Sequence, residues 1–260
     1  MDWLNSLAGF CVGVIVGTTG VGGGALMTPI LVLAFGVAPA AAVGTDLWFA
    51  AITKTAGGVV HHRQGGIDWQ VLRRLACGSL PAAALTLYWL HHSGVGQVRH
   101  GLIMQALGGV LFLTALAMFF RQRIHAFGQR VRGSMPAGFK RAQPALTVVA
   151  GALLGFLVTL TSVGAGALGT VMLLYLYPFR LTPARLVGTD IVHAIPLTLV
   201  AGLGHLALGN VDLHLLAWLL LGSVPGVLLG SVLSGRAPQA VLRGIISVVL
   251  MLVASKLLLA

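Results

Sequence analysis

Hydrophobic positions fall into eight long blocks along this chain, at about residues 3–35, 39–60, 70–91, 98–120, 145–178, 183–206, 213–234 and 238–259. Six of them match the roughly 20 residues with which a helix crosses a bilayer once. The first and fifth, at 33 and 34 residues, are too long for that, and glycine-rich stretches interrupt both. The interruptions are Gly17-Thr18-Thr19-Gly20-Val21-Gly22-Gly23-Gly24 and Thr161-Ser162-Val163-Gly164-Ala165-Gly166. Each long block is therefore either one tilted helix or two short arms joined at a glycine break. The pattern predicts an all-α polytopic membrane protein with eight to ten membrane segments.

The polar residues between and within the blocks repeat. Pro39, Ala40, Val43, Gly44, Thr45, Asp46, Gly58, His61, Gly65 and Asp68 recur 144 positions later as Pro183, Ala184, Val187, Gly188, Thr189, Asp190, Gly202, His205, Gly209 and Asp212. The same offset pairs Gly20 and Gly22 with Gly164 and Gly166, and Gly78-Ser79-Leu80-Pro81 with Gly222-Ser223-Val224-Pro225. An apolar chain built of two homologous halves that share Gly, Pro, Thr and Asp has the usual build of a secondary transporter. Residues 1–120 form the first repeat, 121–144 a basic linker and 145–260 the second repeat.

Composition narrows the class. Of 260 residues 57% are hydrophobic and 8% charged, where a soluble domain carries about 25% charged. The mean hydropathy is +0.97. All five acids are aspartates, against 16 Lys and Arg. Basic loops contacting anionic lipid account for the excess. No soluble basic domain exists to bind nucleic acid, and too few carboxylates remain for a dedicated cation cage. Cys11 and Cys77 form no CxxC and read as small buried residues, so no metal and no redox cofactor is called for.

Loop charges bear on topology. If each long block crosses once, ten basic residues lie on one side and five on the other, Lys54 being set aside as intramembrane. If each goes in and comes back, only Arg99 and Lys256 remain on the minority side, against thirteen. The positive-inside rule favours the second arrangement. It makes the halves inverted repeats, with the basic loop 121–141 cytoplasmic and both termini outside.

Candidate chemistry collects at the breaks. Glycine lets backbone N–H groups approach a ligand closely. An arm that starts after the break, near Gly23 or Ala167, presents free donors and the positive end of its dipole. Thr18, Thr19, Thr161 and Ser162 add hydroxyls. With Gly20, Gly22, Gly164 and Gly166, and with Thr45 and Thr189 nearby, they make a neutral, donor-rich lining suited to a small anion. Close helix packing through small residues is the alternative for these glycines. Asp46 and Asp190 lie just inside helices that begin at Pro39 and Pro183. As intramembrane acids they are candidates for proton coupling, or else bond a broken helix end or pair with Lys54 or Arg185. Lys54, whose repeat partner is Thr198, and His193, whose partner is Phe49, are candidate anion contacts. Asp68 and Asp212 read as helix N-caps.

The ordered, duplicated set resembles one family. Gly20-Val21-Gly22-Gly23-Gly24 followed by Pro29, then Val43-Gly44-Thr45 and Gly65-Gly66-Ile67-Asp68, with a weaker copy in the second half, is similar to the sulfite exporter TauE/SafE family of membrane permeases. The resemblance implies an inner-membrane transporter of sulfite, sulfonates or related small organic anions, described as seven or eight spans in two halves. Asp46 and Asp190 depart from the smaller polar residue, such as Ser, expected at those positions. The implied partners are a small anionic substrate and the lipid bilayer, and a homodimer is compatible with the chain. The competing readings are a metal or other cation transporter using Asp46, Asp190, His193 and His205, and an intramembrane enzyme. For the enzyme no nucleophile–base pair or HExxH motif is present.

Overall fold

In the computed structural model, which describes residues 2–19, 24–63, 66–92, 100–134, 136–233 and 239–259, the Gly and Pro punctuation of the sequence becomes helix ends. Eleven helices form among the described residues. The first half holds α1 (Asp2–Thr19), α2 (Gly24–Leu33), α3 (Pro39–Arg63), α4 (Trp69–His92) and α5 (His100–Phe119). Two helices follow in the linker region, α6 (Arg121–Ser134) and α7 (Pro136–Thr161). The second half continues with α8 (Ala167–Leu176), α9 (Pro183–Ala207), α10 (Leu213–Leu233) and α11 (Gln239–Leu259).

Local chemistry sets the ends. Pro39 and Pro183 open α3 and α9 at a position whose N–H has no intrahelical partner anyway. Asp68 and Asp212 cap α4 and α10 by accepting from the amides of Val71 at 3.2 Å and Leu215 at 2.9 Å. Gly209, at φ 74, takes the left-handed conformation that closes α9.

Both long apolar blocks are broken. Helix α1 stops at Thr19 and α2 starts at Gly24; Gly20, Gly22 and Gly23 lie outside the described residues. In the second half the break is Ser162–Gly166, with Ser162 at φ 58, Gly164 at φ 124 and Gly166 at φ 123. The two glycines hold a backbone conformation that a side chain would strain. The short arm α8 returns alongside α7. The Gln143 side-chain amide, near the start of the apolar stretch of α7, donates to the Leu176 carbonyl at the end of α8. Thr147 and Tyr177 join hydroxyls at 2.8 Å. The second long block is thus a helical hairpin with its tip at the glycine break.

Helix directions follow from close contacts. A Cβ placed on Gly9 or Gly13 of α1 would run into the Leu219 or Ser223 backbone of α10, and one on Gly222, Gly226 or Gly230 into Ser6, Phe10 or Val14. The pair therefore runs parallel. Gly78 of α4 against Val148, and Gly151 and Gly155 of α7 against Leu75 and Ser79, make α4 and α7 parallel in the same way. These are small-residue contacts that let helix backbones meet. At the centre α3 and α9 run antiparallel, with Trp48 Nε1 donating to the Gly202 carbonyl at 3.0 Å and Gly58 against Val192 and Ile195. Two further bonds exchange the halves: the Asp68 amide donates to Thr189 Oγ1 at 2.9 Å, and the Asp212 amide to Thr45 Oγ1 at 3.0 Å.

Three expectations change. Residues 121–134 are helical rather than a loop, because Gly128 lets α6 lie against the Tyr175 carbonyl and Phe127 stacks on Tyr175 at 6.1 Å. Helix α7 already begins at Pro136, inside the expected linker. Cys11 and Cys77 are exposed, on outward faces of α1 and α4, rather than buried. Outward faces are apolar throughout, with Leu85, Tyr88, Leu221, Leu228 and Leu252 among the exposed side chains. By length and composition three described helices suffice to cross a membrane, α7, α9 and α10, and a fourth if α5 and α6, bent by 70°, count as one.

Candidate functional site

The hairpin tip lies against α3 and α9, where the sequence places its intramembrane charges. Asp46 is 0% exposed, Asp190 3%, Lys54 7% and His193 0%. Asp46 accepts from Thr28 Oγ1 of α2 at 2.5 Å. Asp190 stands over α8: a Cβ on Gly169 would collide with its Oδ1, and Thr170 Oγ1 lies 3.5 Å from its Oδ2. Asp190 therefore meets the first turn of the short arm in its own half, where the arm's positive end favours a carboxylate, and Asp46 meets its arm one residue beyond the first turn. The expected alternative, an acid bonding a broken helix end, is realised to that extent, whereas Arg185 is exposed.

Lys54 reaches from α3 across to the second half and donates to the Ala165 carbonyl at 3.0 Å. It sits two turns beyond Asp46 on α3 and meets the break four residues before the Gly169 contact of Asp190. His193 is held through Nε2 by Ser79 Oγ of α4 at 2.9 Å. His205 points away, with Nε2 2.9 Å from the Thr159 carbonyl.

Several buried polar atoms here lack a partner among the described residues: Asp46 Oδ1, Asp190 Oδ1, Ser162 Oγ and His193 Nδ1. The Ser162 hydroxyl stands beside Asp46, contributed by the other half, without a hydrogen bond of normal length. Among the described residues the amides of Gly164, Ala165, Gly166, Ala167 and Leu168 also have no acceptor, the ladder resuming at Gly169 and Thr170. Unpaired buried donors cost free energy unless something meets them. One ammonium, a run of amides without acceptors among the described residues and a hydroxyl thus gather at the break, with two carboxyl groups beside them.

The other candidates divide. Thr45 and Thr189 are committed as acceptors of the Asp212 and Asp68 amides. Thr161 bonds the Leu157 carbonyl and accepts from the Val163 amide, shaping the break. Thr18 is buried and donates to the Val14 and Ile15 carbonyls, while the Thr19 side chain lies outside what is described. Among the described residues no three His, Cys, Asp or Glu side chains gather as a metal set. An open groove between α4, α5 and α7, lined by Trp89, Gln105, Phe156 and Thr161, reaches the edge of the break.

Thr28, Thr170, Gly169 and Ser79 escaped the sequence reading. At an offset of 144, Thr28 pairs with Met172 and Thr170 with Leu26, so an ungapped repeat hides two threonines that play matching roles. Ser79 carried a usable signal, since it recurs as Ser223.

Known proteins resemble this chain in sequence. The chain is 43% identical over 223 residues, 85% of either chain, to the probable membrane transporter protein YjnA of Bacillus subtilis (strain 168). It is 28% identical over 241 residues, 91% of this chain and 92% of the other, to the probable membrane transporter protein YdhB of the same organism. No solved structure matches it. The model of the sulfite exporter TauE/SafE family matches residues 6–257, nearly the whole chain, so the protein belongs to that family of membrane transporters and is not an enzyme.

Proposed function

We propose that the protein is a multi-pass secondary transporter of the inner membrane that moves small sulfur-containing anions, such as sulfite or organosulfonates, by alternating access coupled to protons. The observation that carries this reading is the Lys54 ammonium bonded to the Ala165 carbonyl within a buried break whose Gly164–Gly166 amides lack acceptors among the described residues, near Asp46 and Asp190. Donors gathered around one cation suit an anion; a metal ion would require acceptors in their place. Family membership supports transport as the activity. The antiparallel course of α3 and α9, equivalent helices of the two halves, supports inverted repeats, and the α7–α8 hairpin supports a count of eight to ten membrane segments.

Purified protein in proteoliposomes tests the proposal against a panel of sulfite, sulfonates, carboxylates and divalent metals. Uptake of sulfite or a sulfonate that rises with an imposed proton gradient is expected. Uptake confined to metal ions would overturn the reading and restore the cation transporter.

A further inference from the structure

The charge around the break constrains how a substrate enters. Among the described residues the other elements beside Lys54, Asp46 and Asp190 contribute only hydroxyls as side-chain partners: Thr28 from α2 to Asp46, Thr170 from α8 to Asp190, Ser162 from the break beside Asp46, and Ser79 from α4 to the neighbouring His193. His193, fully buried and bonded to the Ser79 hydroxyl, has no carboxylate partner to hold a second positive charge, and His205 is bonded elsewhere. Among the described residues the enclosure therefore holds one cation and two acids.

A net charge buried within a membrane protein is expensive, so the populated states are those that balance. In the empty site one carboxyl must be ionised against Lys54 and the other must keep its proton. Asp46 Oδ2 accepts from Thr28 Oγ1 and Asp190 Oδ2 has Thr170 Oγ1 at 3.5 Å, so among the described residues the side-chain partners of both acids are hydroxyls and either carboxyl can hold the proton. Lys54 makes one bond, to the Ala165 carbonyl, and keeps two hydrogens for a ligand.

We propose that the empty site carries one proton between Asp46 and Asp190, with the other carboxyl ionised against Lys54, and that a monoanion takes the place of that carboxylate charge as the carboxylate takes up a proton, making transport an electroneutral symport of one proton with one monoanion. The proposal rests on the anion-transporter reading above. In the loaded state the anion faces Lys54 and the free amides while both acids are neutral; release returns the second proton to water on the far side. A dianion would leave one uncompensated negative charge, so the site selects singly charged substrates.

Two measurements test this. The infrared band of protonated carboxylic acids, recorded for the full chain in nanodiscs near neutral pH, counts the protons without any substrate. Wild type and Lys54→Arg should show one such group, Lys54→Gln two, and Asp46→Asn none, because Asp190 must then balance Lys54. A wild type with no band, or a Lys54→Gln band equal to wild type, overturns the shared proton. Methanesulfonate, a permanent monoanion, probes the stoichiometry in proteoliposomes. Its accumulation should follow a proton gradient and change less than about two-fold over an imposed potential of about 100 mV, where one uncompensated charge gives roughly a fifty-fold change. Accumulation driven by the potential overturns the one-to-one symport. Expected bands without methanesulfonate uptake overturn the anion reading and the symport with it; failed bands beside intact uptake overturn the charge balance alone.

Discussion

Gly169 has no room for a side chain because the Asp190 carboxyl occupies the place of its Cβ. That contact lets the acid sit at the positive end of α8, so even a methyl group should push it away. Gly169→Ala is expected to lower transport at least about ten-fold with normal membrane insertion, and wild-type transport would detach the contact from function. Gly166→Val should be worse, since φ 123 is held there by glycine alone and such strain costs about 1–3 kcal/mol. Gly166, with Asp46, Asp190 and Lys54, was legible in the sequence because a charge or a glycine cluster stands out within an apolar run. Gly169, Thr28 and Thr170 were not. Thr53, Thr55, Thr86 and Thr114 all turn their hydroxyls back onto a carbonyl four residues earlier, so a threonine in these helices carries no functional signal by type. Only their place near the start of a short arm, beside an acid, separates Thr28 and Thr170 from them.

The helices are held as pairs, and the pairs depend on small residues. Gly222 of α10 lies so close to the Ser6 carbonyl of α1 that a Cβ would overlap it. Gly222→Leu should therefore separate α1 from α10, at a cost of about 1–3 kcal/mol or more for an overfilled contact, seen as a lower thermal unfolding temperature in detergent. The Gly-Ser-X-Pro repeat signalled that Gly78 and Gly222 were equivalent but not what they touched, since partner helices lie far apart in sequence. The end of α9 and the starts of α4 and α10 were readable from local chemistry. The helix in 121–134 was not, because Gly128 and Gly133 suggested a loop while the contact with Tyr175 that stabilises it comes from α8. At the end of the bundle Arg180 donates to both carboxylate oxygens of Asp68, at 2.7 and 2.9 Å. Burial pushes the Asp68 pKa up, but the Arg180 bonds and the Val71 amide outweigh it, leaving it below the usual carboxylate range. A depressed pKa makes this contribution fully present above the unfolded value near 4, and it is lost as pH falls through the lower folded value. For a half-exposed pair the amount is about 0.2–1 kcal/mol. Asp68→Asn keeps the helix cap, so its stability deficit should be constant near neutral pH and shrink only in acid. A deficit independent of pH down to about 2 would assign the effect to the cap.

For the whole molecule the decisive relation is direction. Helices α3 and α9 are copies of one segment and run antiparallel, as do the copies α4 and α10, since α4 and α9 lie side by side through Thr189 and Ser79–His193. Antiparallel copies are what the proposed inverted repeats require, with an axis across the helices and so in the membrane plane. The α7–α8 hairpin brings Arg180 back to the end of the bundle that holds Arg74, which bonds Tyr177, and α6 with its arginines. That gathers basic residues on one face, as the thirteen-to-two division of loop charges requires. The inverted arrangement predicts opposite accessibility for residues 2 and 130. Because Cys11 and Cys77 are exposed, both must first be replaced by Ala. On that background, a membrane-impermeant thiol reagent applied outside intact cells should label Asp2→Cys and spare Arg130→Cys until the membrane is opened. Equal labelling of both positions would place the termini and the linker on one side, and the halves would have to be parallel copies with the charge division left unexplained.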